Sequence, residues 1–362
     1  MDFCRFIKDF GIKGDFRGYR TFSSGNINST YELTVFDGEI KIFVLQKINK
    51  YVFKNPEQVM SNIVKITDFM RENYDGEETV DKMVLKFYKD VNTGKAYVVD
   101  DDGDYWRCYS FIDNSVTYDI CVDKDLIAEA GKAFGNFQKM LSDFPADALY
   151  ETIPNFHNTV KRFTDLFHSL IDDDSDRAKS AKKELTYLID NRFNAESLCA
   201  MLGNDEIPLR VTHNDTKCNN VLFDVDTGKS LAVIDLDTVM PGLVAYDFGD
   251  AVRSICSLTN EDETDLDKVC FDLNRFEAFT KGFLSQVKDV LTENEKKSLT
   301  LAPYAITCEL ASRFLEDYLR GDKYFKINYP LHNFDRAKCQ IALAKDIAKK
   351  QENITEIIKK YA

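Results

Sequence analysis

The stretch RVTHNDTKCNNVLFDVDTGKSLAVIDLD, residues 210–237, places an acidic residue, a histidine and paired asparagines between runs that read as short buried strands. Polar side chains beside a core cost free energy unless they are hydrogen-bonded or hold a ligand. The turn VDTG folds NVLFD back on SLAVID, which returns the chain at Asp235 to the polar loop ahead of NVLFD. The spacing is His213-x-Asp215-x4-Asn220, then Asp235 at the end of the next strand. Phosphoryl transfer needs that combination. One carboxylate orients an attacking hydroxyl and takes its proton; an amide oxygen and a second carboxylate are hard ligands for the magnesium ion that bridges nucleotide phosphates. Singly, each residue has a plain structural account: turn former, strand-edge cap, strand end, satisfied core histidine. All four in register point to a site.

Residues 18–112 read largely as β structure. GYRTF is a short strand, SSGNIN a polar turn and STYELTVF a strand, with Asp37-Gly38 a hairpin signal leading into EIKIFVLQKIN. A helix starts at Pro56, in PEQVMSNIVKITDFMREN, with apolar residues at helical spacing. VDKMVLKFYKD, KAYVVD and DYWRCYSFID follow as further strands. From about residue 124 the pattern turns helical, in KDLIAEAGKAFGNFQKMLSDF and near 158–171, 177–201, 249–258, 273–290, 293–320 and 333–361. Thr292 and Glu295 form the capping-box pattern of a helix start. The expectation is an α+β chain of two lobes. A small antiparallel β-rich lobe spans 1–112, a hinge lies at about 109–113, and a large, mainly α-helical lobe spans 113–362, with ligands bound between them.

At 362 residues the chain is long enough to bury a large core. Its formal charge of −14 argues against a nucleic-acid or anionic-membrane surface, since both need clustered positive charge. No apolar run reaches the length of a membrane span, and MDFCRFIKDF reads as an amphipathic helix rather than a secretory signal. The nine cysteines are scattered, without a Cys-x-x-Cys pair. That predicts reduced, mostly core thiols in a cytoplasmic protein, Cys218 included, and neither a disulfide framework nor a zinc site. The acidic run DDDSD at 172–176 lacks the glycine turn and distal glutamate of a calcium loop, and is expected as a solvated loop.

The arrangement in 210–237 resembles the aminoglycoside phosphotransferase and choline kinase-like family, which has a protein-kinase-like two-lobe fold with a reduced catalytic loop. Over nearly the whole chain the likeness is closer to the bacterial N-acetylhexosamine 1-kinases. It is carried by GNINSTY (25–31), AFGNFQ, IPNFHNT, PLRVTHNDTKCNNVL, IDLDTVMPG, DFGD, RFLEDYLRGDKYF (313–325) and YPLHN. The resemblance implies Asp215 as catalytic base for the sugar's anomeric hydroxyl, Asn220 and Asp235 as magnesium ligands, and His213 and Asp247 as framework residues. The metal-binding aspartate is then Asp235, not the Asp247 of DFG. ATP and Mg2+ are the implied cofactors and an N-acetylhexosamine the implied small-molecule substrate, with the oligomeric state left open.

On the nucleotide side, Ser23, Ser24 and Gly25 stand where a phosphate-covering loop belongs, with backbone amides as donors. The third strand puts Gln46 where a phosphate-binding lysine or arginine is expected, and Lys47 next to it faces the opposite way. At the hinge, the backbone around Tyr109 and Phe111 in CYSFID offers a docking point for adenine. For the sugar, the resemblance favours Arg313 and Tyr324 as contacts, with Asn26 and Arg253 facing the same cleft. Asn26 replaces the histidine expected in hexosamine kinases, and Ser254 an expected phenylalanine. Other readings stay open: a kinase for another sugar, an amino alcohol or an aminoglycoside, or a nucleotide-binding regulator without catalysis.

Overall fold

The computed structural model describes residues 2–22, 27–74, 77–171 and 176–362. The expected phosphate-loop residues Ser23, Ser24, Gly25 and Asn26, and the acidic run at 172–175, lie outside the described residues. The fold is α+β, an antiparallel N-terminal sheet followed by a helical region.

Strict alternation organises the sheet. Strands β1 (Asp15–Thr21), β2 (Ser29–Phe36), β3 (Ile40–Lys47), β4 (Val98–Val99) and β5 (Tyr105–Ser110) pair antiparallel in the order β1-β2-β3-β5-β4. Gly38, at φ +78°, closes the Asp37-Gly38 turn between β2 and β3. Phe43 and Leu45 of β3, with Trp106 and Cys108 of β5, go to one face, which helix α1 (Phe3–Asp9) covers with Phe3, Phe6 and Ile7. Gln46 and Arg107 go to the other face, where they stand opposite each other in register. Helix α2 (Pro56–Glu72), with proline in its first turn, buries Val59, Met60, Ile63 and Ile66 in a cluster shared with Phe137, Val211, Leu236 and Val239. That cluster joins the sheet to the helical region.

One expected strand is a helix. VDKM ends helix α3 (Glu77–Met83), and the rest of VDKMVLKFYKD makes only an isolated bridge, Phe87 to Tyr109. Val80 and Val84, four residues apart, enter the same buried cluster as Met70, so helical spacing prevails over β-branched propensity.

The helical region begins after the short strand β6 (Ser115–Val116) with α4 (Lys124–Met140) and α5 (Thr159–Ile171). The single helix expected at 177–201 is divided into α6 (Arg177–Ser180), α7 (Lys182–Asp190), α8 (Arg192–Ala195) and α9 (Ser197–Gly203). At one break the Asn191 side chain donates to the Tyr187 carbonyl at 2.8 Å and competes with the helical ladder. The opening stretch of the sequence supplies β7 (Arg210–Thr212), β8 (Val221–Asp224) and β9 (Ser230–Val233); β8 pairs with both β6 and β9. Strand β10 (Met240–Gly242), absent from the sequence reading, pairs with β7. Helices α10 (Val244–Ile255), α11 (Leu273–Val287), α12 (Glu293–Ser298), α13 (Ala302–Leu319), α14 (His332–Lys349) and α15 (Gln351–Tyr361) follow. Pro303 sits in the first turn of α13, and the Thr292–Glu295 capping box is formed as read. Among the described residues no helix is long and apolar enough to cross a membrane. The segment after β6 crosses the 218–220 turn and sets Cys121 against Cys218, sulfur to sulfur, a pairing that the scattered cysteine spacing did not suggest.

Helices α4 and α11 touch backbone to backbone. A methyl group added at Gly131, Gly135 or Gly282 would collide with the carbonyl oxygens of Phe279, Phe283 or Ala128, respectively. Phe248 of α10 packs on Phe276, Phe279 and Phe283 of α11 at 5.9, 5.9 and 5.3 Å. Gly282→Ala is expected to lower the unfolding free energy in a urea titration by about 1–3 kcal/mol, the usual cost of overpacking. Gly203→Ala, whose methyl meets nothing within 4 Å, should stay within about 0.5 kcal/mol of the wild type.

Candidate active site

The loop between β7 and β8 is held from beneath by helix α10. Asp247, in the first turn of α10, accepts the backbone N–H of His213 at 2.8 Å and of Asn214 at 2.7 Å, and the Gln138 amide at 2.7 Å. Burial raises the Asp247 carboxyl, with His213 nearby and these three donors acting against that rise. Asp250, one turn further on, accepts the Thr216 N–H at 3.0 Å. Burial pushes Asp250 up, but Arg253 and Lys217 outweigh it and keep its carboxylate below the ordinary range. His213 is fully buried, edge-on to Phe134 and Phe137. Its Nε2 donates to the Ile234 carbonyl at 2.9 Å, and its Nδ1 accepts the Asp215 N–H at 3.3 Å, which assigns the ring proton to Nε2. Asn214 sits at φ +65°, a left-handed position, tied by its own amide to the Thr212 and Thr238 carbonyls.

This frame delivers Asp215, half-buried, to a cavity of about 330 Å³ under the sheet. Asn220 and Asp235 line the same cavity. Asn220 Nδ2 donates to the Asp215 carbonyl at 2.8 Å and to Asp215 Oδ2 at 3.2 Å, which turns Oδ1 away from Asp215. Lys217 pairs with Asp215 Oδ1 at 2.7 Å. Asp235, also left-handed at φ +60°, faces the cleft, and among the described residues no donor reaches its carboxylate. The surrounding protein, then Asp237 and Asp215, push the Asp235 carboxyl up, although water at the cleft mouth screens part of that effect. A crowded carboxylate beside a free amide oxygen suits a hard divalent cation. Among the described residues no three His, Cys, Asp or Glu side chains form a closed cage. An ion held by Asn220 and Asp235 would complete its shell with water and phosphate oxygens, as magnesium does.

The opposite wall comes from the sheet and the chain after β5: Val44, Gln46, Arg107, Tyr109, Phe111 and Ile112 line the cavity, facing Leu222 and Ile234. Lys47 points away and pairs with Asp104 at 3.0 Å. Arg107 is ion-paired with Asp237, which also accepts the Asn28 amide at 2.5 Å.

Arg253, Arg313 and Tyr324 do not line this cavity. Arg253 is buried, paired with Asp250 at 2.9 Å and Glu261 at 3.1 Å. The Arg313 guanidinium lies over the rings of Phe156, Phe325 and Tyr324 at 5.3, 5.5 and 5.9 Å. Tyr324 is 70% exposed. Asp317 makes no ion pair with Arg313, the i,i+4 partner its spacing suggests. It accepts the N–H groups of Lys323, Tyr324 and Phe325 at 2.8–2.9 Å and so shapes the turn that presents Tyr324.

Sequence reasoning passed over Arg107, Asp237 and Lys217. A lone arginine inside the aromatic strand YWRCYS requires a buried partner, and the second aspartate of IDLD is the acid that meets it. Lys217 carried no signal beyond its closeness to Asp215.

A β-sheet roofing a loop of this composition is the architecture of a phosphotransferase. The model of the phosphotransferase enzyme family, APH, matches residues 18–279, and the chain belongs to that family. Solved structures share its fold. Choline kinase from Cryptosporidium parvum Iowa II aligns with a TM-score of 0.58 at 12% identity, over 94% of this chain and 91% of that one. Amicoumacin kinase hAmiN, in complex with AMP-PNP, Ca2+ and Ami, aligns with 0.58 at 14% identity, over 99% and 94%. Plasmodium vivax ethanolamine kinase aligns with 0.54 at 15% identity, over 89% and 82%.

Asp247→Asn replaces one accepting oxygen with a donor that faces donors. It is expected to cost about 1–3 kcal/mol of stability in urea unfolding, the penalty of a buried N–H left unsatisfied.

Proposed function

We propose that this phosphotransferase moves the γ-phosphoryl group of ATP to the anomeric hydroxyl of an N-acetylhexosamine, giving the sugar 1-phosphate and ADP. The observation that carries the reading is the convergence of Asp215, Asn220 and Asp235 on one cavity, in a chain whose strings at 208–222, 234–242 and 313–325 resemble the hexosamine 1-kinases.

In this reading residues 1–112 and 113–362 are the two lobes, and adenine docks on the backbone at 109–111 between Val44 and Leu222. Asp215 takes the C1 hydroxyl proton as that oxygen attacks phosphorus in line and ADP leaves. Lys217 holds Asp215 Oδ1 and Asn220 Nδ2 donates to Oδ2 at 3.2 Å, which together orient the carboxylate for the acceptor. Magnesium at Asn220 and Asp235 would supply the charge that offsets the phosphates. Arg313 and Tyr324 form the sugar wall with Phe156 beside them, while Arg253 acts at one remove by holding Asp250.

Burial and then Arg313 hold the guanidinium of Arg162 below its ordinary value, with Glu309, Tyr324 and Glu316 acting against that. The flank thus mixes cations, carboxylates and the rings of Phe156, Tyr324 and Phe325, a lining that the hydroxyls and acetamide of a sugar can use.

ADP release is measured with N-acetylglucosamine, N-acetylgalactosamine, choline and ethanolamine, with the product identified by phosphorus NMR. Turnover should depend on the hexosamine and place phosphate at C1; release without any acceptor would instead mark a hydrolase. Asp215→Ala should lower turnover by roughly 10²–10⁴-fold with the fold intact, the range for a lost general base, and near-normal turnover would remove Asp215 from that role.

Magnesium alone should raise the melting temperature, and Asp235→Asn should abolish the rise. Because the Asp235 carboxyl is held high, protons compete with the ion sooner: the magnesium-induced rise should fade, as pH falls, at a higher pH than an ordinary carboxylate allows. A magnesium effect unchanged in Asp235→Asn would place the ion elsewhere.

A further inference from the structure

Position 46 withholds the charge that a lysine on β3 supplies to nucleotide phosphates in protein kinases. Gln46 is neutral, and Lys47 points to the opposite face. The neighbouring strand makes up the difference. Arg107 of β5 is the cross-strand partner of Gln46, lies on the cleft side and is only 3% exposed.

The guanidinium is fixed on several sides. Nε and Nη2 donate to Gln46 Oε1 at 2.8 and 2.5 Å, and Nη1 engages the Asp237 carboxylate and, at 3.8 Å, the Met60 sulfur. Gln46 Nε2 donates in turn to Thr30 Oγ1 at 2.9 Å, so the amide is oriented at both ends. A guanidinium carries five N–H donors. The contacts above engage four of them, and among the described residues the second Nη2 hydrogen has no acceptor. The other cation lining the cavity, Lys217, is tied to Asp215.

We infer that Arg107 is the nucleotide-binding cation of this chain, delivering from β5 the fixed positive charge for the diphosphate part of the nucleotide, with Gln46 as the clamp that aims it. The inference rests on the ATP-dependent reading above. Asp237 is the counter-ion that keeps a buried guanidinium from standing unpaired while the cleft is empty. It comes from the turn just past Asp235. The charge for the phosphates and the carboxylate for the metal are thus set by neighbouring residues of one segment. An ion pair that merely joins the sheet to the helical region would be indifferent to phosphate.

The test is a phosphate ladder: adenosine, AMP and ADP are titrated calorimetrically in EDTA into the full-length wild type, Arg107→Lys and the double variant Arg107→Met/Asp237→Asn. The double variant leaves no buried carboxylate unpartnered, and Arg107→Lys keeps the charge but loses the planar fork. Relative to the wild type, ADP should bind roughly tenfold or more weakly to the double variant, the worth of a lost charge-assisted hydrogen bond. Adenosine should bind as before, with Arg107→Lys in between for ADP. If the double variant does not fold, the ADP-to-adenosine affinity ratio of Arg107→Lys decides alone. An unchanged ladder overturns the inference, and so does an equal loss for adenosine and ADP, which marks a deformed cleft. A wild type that binds neither adenosine nor ADP overturns the ATP-dependent reading, and this inference with it.

Discussion

A carboxylate shut away from water holds the candidate site together. Asp247 lies in the first turn of α10, where the helix presents its positive end, and gathers two backbone N–H groups and a side-chain amide. Those N–H groups belong to residues that have left the β7–β10 ladder, so no strand partner satisfies them. Without an anion in that place, His213 and Asn214 would be buried donors with nothing to donate to. Asp250 repeats the device one helical turn later for Thr216. Helix α10 thus grips the loop at two points, three residues apart, and Asp215 lies between them in sequence.

The second constraint runs across the cleft through residues 235–239. Asp237 is held by Arg107 and Asn28 from the sheet side, and the Val239 carbonyl accepts the Asn62 amide of α2 at 2.9 Å. Asn62 also bonds both the N–H and the carbonyl of Tyr150, at 2.8 Å each. These contacts fix the segment in which Asp235 adopts its left-handed backbone, a conformation that carries a cost for any residue but glycine. The position of Asp235 therefore depends on both halves of the chain at once.

Much of this was legible in the sequence, for physical reasons that can be named. STYELTVF and EIKIFVLQK are rich in β-branched and aromatic residues, and the Asp37-Gly38 turn joins them, so the β2–β3 hairpin is legible, and the two-residue period of a strand sets Gln46 against Lys47. The spacing of Asp215, Asn220 and Asp235 around a short hairpin foretold their meeting. VDKMV misled because its two valines, Val80 and Val84, satisfy either period until a partner is known. The breaks in 177–201 and the proximity of Cys121 to Cys218 depend on contacts between segments distant in the chain, and no local pattern encodes them. Arg313 and Asp317 sit at ion-pair spacing, yet Asp317 takes three backbone N–H groups instead, a fixed geometry preferred over a flexible side-chain partner.

The glycine seam between α4 and α11 bears on how such a molecule diversifies. Gln138, Phe134 and Phe137, which brace Asp247 and His213, all ride on α4, and α4 cannot shift without driving its backbone into α11. The candidate site is anchored to a part of the molecule with almost no room for trial and error. Tyr324, by contrast, stands in open water on a turn pinned mainly through main-chain amides, where side chains can be exchanged freely. Substitutions can accumulate on that rim while the frame beneath the candidate site stays as it is.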